Sequence, residues 1–302
     1  MNSLFINNLS KVYKAKKGKE VKALSGLDLT IHKGEVFGFL GPNGAGKSTT
    51  IKTIMGLLKP TDGEVFVEGI SIKDPASRKN IGYLPENPSF FDFLTAREYL
   101  VFIAKSFQMP DEMIAKRVTE TLDRLELTDA ADRSIRGYSK GMVQRLGLAQ
   151  AILHDPELYI LDEPMSGLDP LGRALVKDLI MEMKRQGKTV FFSTHITADV
   201  EAVCDRVGVI VKGELRALEC VESVVERGIE KYNIKVRLKN GTVPVSGFFY
   251  ETLDEQRIMY CVPREQFADF MRSAVATDCC VDFVEPVRKD IERFFLEIVE
   301  EG

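Results

Sequence analysis

The sequence predicts an α/β fold. A parallel-sheet core follows an antiparallel β part, is interrupted by a helical insertion, and is succeeded by a smaller α+β domain. Three observations carry this reading. The runs "EVFGFL" (35–40), "LYILD" (158–162) and "KTVFFST" (188–194) have the near-continuous hydrophobicity of strands buried on both faces. Segments of helical periodicity separate them, as parallel connections require. From about residue 216 the pattern changes to alternating strands and amphipathic helices.

In chain order, Ser3 to Tyr13 and Ala23 to Ile31 read as two strands. Between them lie Lys14, Lys16, Lys17, Gly18 and Lys19, a charged run with glycine that marks a solvated hairpin loop. "GEVFVEG" (63–69) reads as a further strand. Three helices, Thr95 to Phe107, Asp111 to Leu125 and Ser139 to Leu153, fill a block from about 88 to 155 that looks inserted into the core. Pro170 to Arg185 and Thr197 to Cys204 are helical, and "RVGVIVKGEL" is a hairpin. Further on, "KYNIKVRLKN" and "RIMYCVP" alternate like antiparallel strands, while "EQFADFMRSAV" and "VRKDIERFFLEIVEE" read as helices. The expected domains are 1–215 and 216–302.

Composition narrows the function classes. With 302 residues, 44% hydrophobic and 28% charged, the chain is long enough for a sizeable core and ordinary for a globular protein. A net charge of −4 argues against broad, sequence-independent nucleic-acid binding, which needs a basic face, so no nucleic-acid partner is expected. Cys204, Cys220, Cys261, Cys279 and Cys280 contain no C-x-x-C pair and fit neither a disulfide framework nor a zinc site. A reduced, cytosolic protein is expected. The start "MNSLFINNLSKVY" lacks the pattern of a signal peptide. No apolar run approaches the ~20 residues needed to cross a bilayer, so work at a membrane would need another anchor.

The chemistry concentrates at strand ends. Gly41, Pro42, Asn43, Gly44, Ala45, Gly46, Lys47 and Ser48 spell G-x-x-x-x-G-K-[ST] between a buried strand and a helix, the context of a phosphate-binding P-loop. The glycines let backbone N–H groups wrap a phosphate chain, and the helix aims its positive end at the same place. Lys47 would reach the β- and γ-phosphates, Ser48 would ligate Mg²⁺, and Thr49 would donate to the α-phosphate. "LYILDEP" ends a buried strand in Asp162, positioned to hold Mg²⁺ through its hydration shell, and Glu163, positioned to polarise an attacking water. "FFSTHIT" ends another in His195, which would contact the γ-phosphate and orient that water. "YSKGMVQRL" adds a second anion-competent feature, because Ser139, Lys140 and Gly141 begin a helix whose first N–H groups lack partners.

Together these motifs resemble the ATP-binding-cassette (ABC) ATPases of the P-loop NTPase fold, over residues 1 to about 215 and in the family's order. "GPNGAGKST" is similar to its Walker A motif, "LYILDE" to Walker B, "SGLD" (166–169) to the D-loop, His195 to the switch histidine and "YSKGMVQRL" to the signature motif. The resemblance implies ATP and Mg²⁺ as cofactors and ATP hydrolysis as the reaction. It further implies two cassettes packed head to tail, so that Ser139 and Gly141 donate to the γ-phosphate held by Lys47 of the opposite cassette, with Asp169 across the same interface. Tyr13 stands where the family places an aromatic on adenine; core packing is its other reading. Two departures stand out. The usual Leu-Ser-Gly-Gly-Gln is here Tyr-Ser-Lys-Gly-Met, and Glu86 occupies the Q-loop glutamine position, either facing the metal or facing solvent as a loop acid. Both departures resemble the exporter branch.

The resemblance thus implies the ATPase subunit of an exporter, peripheral at the inner face of the cell membrane. Its partners would be separately encoded transmembrane permease subunits and a second copy of itself or a paralogous ATPase. A cytosolic ABC protein acting on nucleic acid or the ribosome is the alternative. "NPSFFDFL" places Phe90, Phe91, Phe93 and Leu94 close together, either as a surface for the membrane subunit or as core of the helical insertion. The C-terminal domain resembles tails of exporter ATPases.

Overall fold

The structure, a computed structural model, describes residues 2–14, 20–238, 245–254, 256–277, 279–288 and 291–301. Lys16, Lys17, Gly18 and Lys19 of the lysine-rich turn lie outside the described residues, as do 239–240 and 289–290 of the C-terminal motifs. The chain divides into two compact units, Met1–Val221 with Ile298–Gly302, and Glu222–Glu297.

In the larger unit, β1 (Asn2–Lys14) and β2 (Glu20–His32) pair antiparallel. β3 (Val36–Leu40) leads through the glycine-rich loop into α1 (Lys47–Ile54). β4 (Asp62–Val67) and β5 (Ile70–Ser71) complete a four-stranded antiparallel sheet of order β2-β1-β4-β5. β6 (Ile81–Leu84) precedes three helices, α2 (Ala96–Ser106), α3 (Asp111–Arg124) and α4 (Lys140–Ile152). Next come β7 (Leu158–Asp162), α5 (Pro170–Arg185), β8 (Thr189–Thr194), α6 (Thr197–Val203), β9 (Arg206–Val211) and β10 (Glu214–Cys220). The second sheet runs β10-β9-β3-β8-β7-β6, parallel except where β10 returns along β9.

Every residue of β3, β7 and β8 is buried, because helices and the antiparallel sheet leave these central strands no wet face. Phe37 and Phe39 pack on Phe191 across the β3–β8 pair, with ring centroids 5.9 and 5.4 Å apart. The parallel strands therefore end together, and their C-terminal ends present the P-loop, Asp162 and His195 on one side of the sheet. β6 escapes a purely sequence-based reading. It is four residues long and is fixed as a strand by its parallel pairing with β7.

Helix boundaries follow capping chemistry. Thr95 and Glu98 form a reciprocal capping box at α2, and Asp169 caps α5 with Pro170 in its first turn. In the smaller unit, β11 (Ile229–Arg237), β12 (Tyr250–Thr252), β13 (Arg257–Pro263) and β14 (Cys280–Arg288) form an antiparallel sheet of order β12-β13-β11-β14. The unit also contains α8 (Phe267–Ala276), while α7 (Val221–Arg227) and α9 (Ile291–Glu301) cross the divisions of the chain. Tyr260, Phe270, Ile234 and Val262 form its dry centre. "VRKDIERFFLEIVEE" divides where one helix is expected: Val287 and Arg288 pair with Lys231 and Ile229 and finish β14, so sheet pairing overrides helical periodicity there.

Candidate active site

The turn after β3 is shaped by what lies beneath it. Gly46 has φ +115°, and a Cβ at this position would sit 2.8 Å from the carbonyl oxygen of Ala23. Gly46 therefore combines a conformation that L side chains rarely adopt with a close approach. The Gly41 amide donates to Thr194 O at 3.2 Å, and Gly213 N donates to Ala45 O at 2.8 Å, which ties the loop to β8 and to the β9–β10 turn. Gly41 and Ala45 are buried, whereas Asn43 and Gly44 stand exposed at the tip. Pro42, Asn43, Gly44, Gly46, Ser48 and Thr49 line one cleft of about 270 Å³ together with Lys47, Glu86 and Glu163.

Lys47 is 6% exposed, and its Nζ donates to Gly41 O at 2.6 Å and Pro42 O at 3.3 Å. The same ammonium lies 3.4 Å from Glu163 Oε1. Glu163 in turn lies 3.0–3.1 Å from His195 Nδ1. A cation and an imidazole thus each contact one carboxylate at the cleft wall. The Glu163 backbone has φ +51°, a conformation that costs a non-glycine residue about 1–3 kcal/mol and persists only when the surroundings impose it. Here its amide donates to Ser193 Oγ at 3.0 Å and Ser193 O at 3.2 Å.

Asp162 is 1% exposed, and Ser193 Oγ donates to its Oδ1 at 2.5 Å. Burial pushes its carboxyl above the usual range, hydrogen bonds from the Ser193 and Ser48 hydroxyls hold it down, and the charges of Glu86 and Glu163 push it up further. A buried acid held beside a serine hydroxyl fits a divalent cation, whose charge would remove the cost of ionising it. Among the described residues, no group of three or more His, Cys, Asp or Glu forms a metal cage. That suits Mg²⁺, which takes one or two protein ligands and completes its shell with phosphate oxygens and water. Ser48 and Asp162 would hold the ion, with Glu86 at the cleft wall, and the ion would neutralise phosphate charge.

The remaining sequence-predicted residues do not line this cleft. Ser139 is exposed and caps α4, its Oγ accepting from Met142 N at 3.3 Å. Lys140 is also exposed, and its stem crosses Gly167 closely enough that a Cβ there would meet Lys140 Cε at 2.5 Å. Gly141 packs beside Leu168, so the start of α4 lies against the "SGLD" turn of its own chain. Asp169 Oδ1 accepts from Gly172 N at 2.9 Å, as a helix cap. Tyr13 is 37% exposed with the Lys11 ammonium 5.2 Å from its ring centroid, and it pairs with Val21, two residues from the cleft-lining Ala23.

Three positions went unnoticed in the sequence. Ser193 braces both acids; its signal was a polar residue inside an apolar strand, just before His195. Asp199, 2% exposed on α6, is held by Arg173 at 2.7 Å and Lys177 at 3.3 Å, joining the helix after the D-loop to the helix after His195. Gln144 is a buried polar residue on α4, with its amide on the carbonyls of Glu163 and Pro164.

The family described as ABC transporter matches residues 24–166. An uncharacterized ABC transporter ATP-binding protein of Nostoc is 37% identical over 300 residues, covering 97% of this chain and 89% of the relative. A second, from Synechocystis, is 41% identical over 253 residues, covering 82% and 71%. Among solved structures, an ATP-binding cassette captured as a dimer in a post-hydrolysis state with ADP and Pi superposes with TM-score 0.67 at 28% identity. That match covers 72% of this chain and 98% of the other.

Proposed function

The chain belongs to the ABC transporter ATP-binding proteins and hydrolyses ATP with Mg²⁺, and we propose that it does so as one of two cassettes that close head to tail around ATP and thereby drive separately encoded membrane subunits of an exporter. The observation that carries this reading is the division of the phosphate-binding groups. Lys47, Ser48 and Glu163 line the cleft of one chain, with His195 on Glu163 and Asp162 beside Ser48, while Ser139 and Gly141 stand away from it, exposed or half-buried. An exposed helix start that stands away from its own chain's cleft suits the phosphate of a second copy.

In the proposed cycle, the P-loop amides and Lys47 hold the phosphates. Lys47 exchanges its loop carbonyls and Glu163 for phosphate oxygens, which frees the Glu163 carboxylate to take a proton from the attacking water. His195, already hydrogen-bonded to Glu163, orients that carboxylate and the water. Ser139 and Gly141 of the second copy close over the γ-phosphate, and hydrolysis removes the group that joins the two.

The aromatic segment supports docking to a membrane subunit. Phe90 turns inward, its ring 4.9 Å from Tyr99. Phe91, Phe93 and Phe102 are 54, 72 and 52% exposed, and the ring of Phe91 meets both others, forming an apolar patch on the helical insertion. No helix among the described residues is long and apolar enough to cross a membrane. A cassette from Clostridium perfringens, 30% identical with TM-score 0.62 over 74% of this chain and 90% of its own, is part of the transporter complex cbiONQ.

The test is the mass in solution of Glu163→Gln with and without MgATP. The proposal expects a nucleotide-dependent shift from monomer to dimer that Ser139→Arg abolishes. A dimer that forms equally well with Ser139→Arg would overturn the arrangement.

A further inference from the structure

α4 does more than carry the exposed serine at its start. One turn in, Gln144 is 4% exposed, and its Nε2 donates to Glu163 O at 3.3 Å and to Pro164 O at 3.1 Å. Glu163 therefore has its peptide groups held on both sides: the amide by Ser193, the carbonyl by Gln144 and by Ser166 N at 3.0 Å. Its φ of +51° persists only under such constraint. The helix itself cannot drift, because Gly147 lies so close to β6 and the loop after it that a Cβ would meet Leu84 Cδ1 at 2.5 Å and Pro88 Cγ at 3.0 Å. The same helix thus touches the wall leading to Glu86, the backbone of Glu163 and, at its first residues, the "SGLD" turn.

We propose that Gln144 is a positioning residue for hydrolysis: its amide fixes the Glu163 backbone to α4, so that the helix start reserved for a second copy's phosphate sets where this chain's base points. The inference rests on Glu163 acting as the base. A buried amide donating to two carbonyls is directional, and misplacement of a reacting group by about 1 Å costs on the order of 100-fold in rate. Apolar contacts alone would hold α4 against this loop without fixing the direction of the Glu163 carbonyl.

Two variants test this. Gln144→Met keeps the volume and removes both donated bonds; Gln144→Asn keeps the amide and withdraws it by one methylene. With either folded variant, the affinity for MgATP stays within about twofold of wild type, while single-turnover hydrolysis at saturating MgATP falls about 10- to 100-fold. In a Glu163→Gln background, adding Gln144→Met changes the residual rate by less than about twofold, because the group it positions is already gone. Hydrolysis at the wild-type rate in both variants overturns the proposal, and so does an equal proportional loss in both backgrounds, which a purely structural role would give. The premise fails separately: if Glu163→Gln alone hydrolyses ATP at the wild-type rate, Glu163 is not the base.

Discussion

The P-loop and the start of α4 are both glycine-containing turns at helix N-termini, yet the chain treats them oppositely. The P-loop is surrounded: Lys47 is folded onto Gly41 O and Pro42 O, Glu163 and His195 lean in, and Asp162 is buried beside Ser193. The start of α4 keeps Ser139 and Lys140 in solvent, and its nearest loop is "SGLD". The difference teaches that a helix N-terminus becomes a reaction site only where other elements bring charge to it. The first site has its chemistry built in. On the proposed reading, the second supplies donors to a phosphate that another copy holds.

Substitutions separate the two. The largest effect is expected from Glu163→Gln, which removes the base without removing any phosphate ligand: turnover falls about 10²- to 10⁴-fold while MgATP binding persists, as steady-state and equilibrium measurements would show. Ser139→Arg attacks only the second site. It is expected to lower steady-state hydrolysis by roughly 100-fold or more, as loss of an oxyanion-type donor does, while the monomer binds MgATP as before. Lys47→Ala attacks only the first, and loss of a charge-assisted contact of about 1.5–3 kcal/mol weakens nucleotide binding about 10- to 100-fold. Equal binding by Lys47→Ala and wild type in titration calorimetry would break the contrast.

Smaller effects sharpen it by touching neither site. His154, just beyond α4, stacks on Phe107 with ring centroids 3.7 Å apart, and its Nε2 contacts Ile81 O at 3.2 Å. Burial holds its pKa below the usual histidine range, partly offset by the Ile81 carbonyl and Asp155, while Arg117 lowers it further. The unfolded chain therefore binds this proton more readily. The stability that neutral His154 contributes is present above the ordinary histidine pKa and is lost as pH falls through the lowered one. Thermal denaturation of His154→Gln should show a shallower loss of stability on acidification than wild type. Thr95→Ala, which removes the α2 cap, should cost about 1 kcal/mol of stability in chemical denaturation and leave MgATP affinity unchanged.

The sequence made the first site more legible than the second. Strands with no polar face announced β3, β7 and β8, and their C-terminal ends announced Asp162, the last residue of β7, and His195, which follows β8. Helical periodicity likewise placed helix starts at Thr95, Ser139 and Pro170, at or beside the residues that cap them. What stayed hidden depends on contacts between distant segments. Ser193 reads as one more strand residue until β7 and β8 are set side by side, and Gln144 reads as part of a polar helix face until α4 is laid on the Glu163 loop. Arg173, Lys177 and Asp199 find one another only when α5 meets α6. The end of β14 misled for the same reason, because pairing with β11 is invisible in a helical periodicity.

The most direct test of a cleft completed by a second copy is complementation. Lys47→Ala retains an intact α4 start, and Ser139→Arg retains an intact cleft; neither alone has both. Mixing equal amounts makes half of the dimers mixed, each with one complete site, so the account predicts recovery of up to about a quarter of the wild-type hydrolysis rate. A mixture no more active than the sum of its two parts would contradict it.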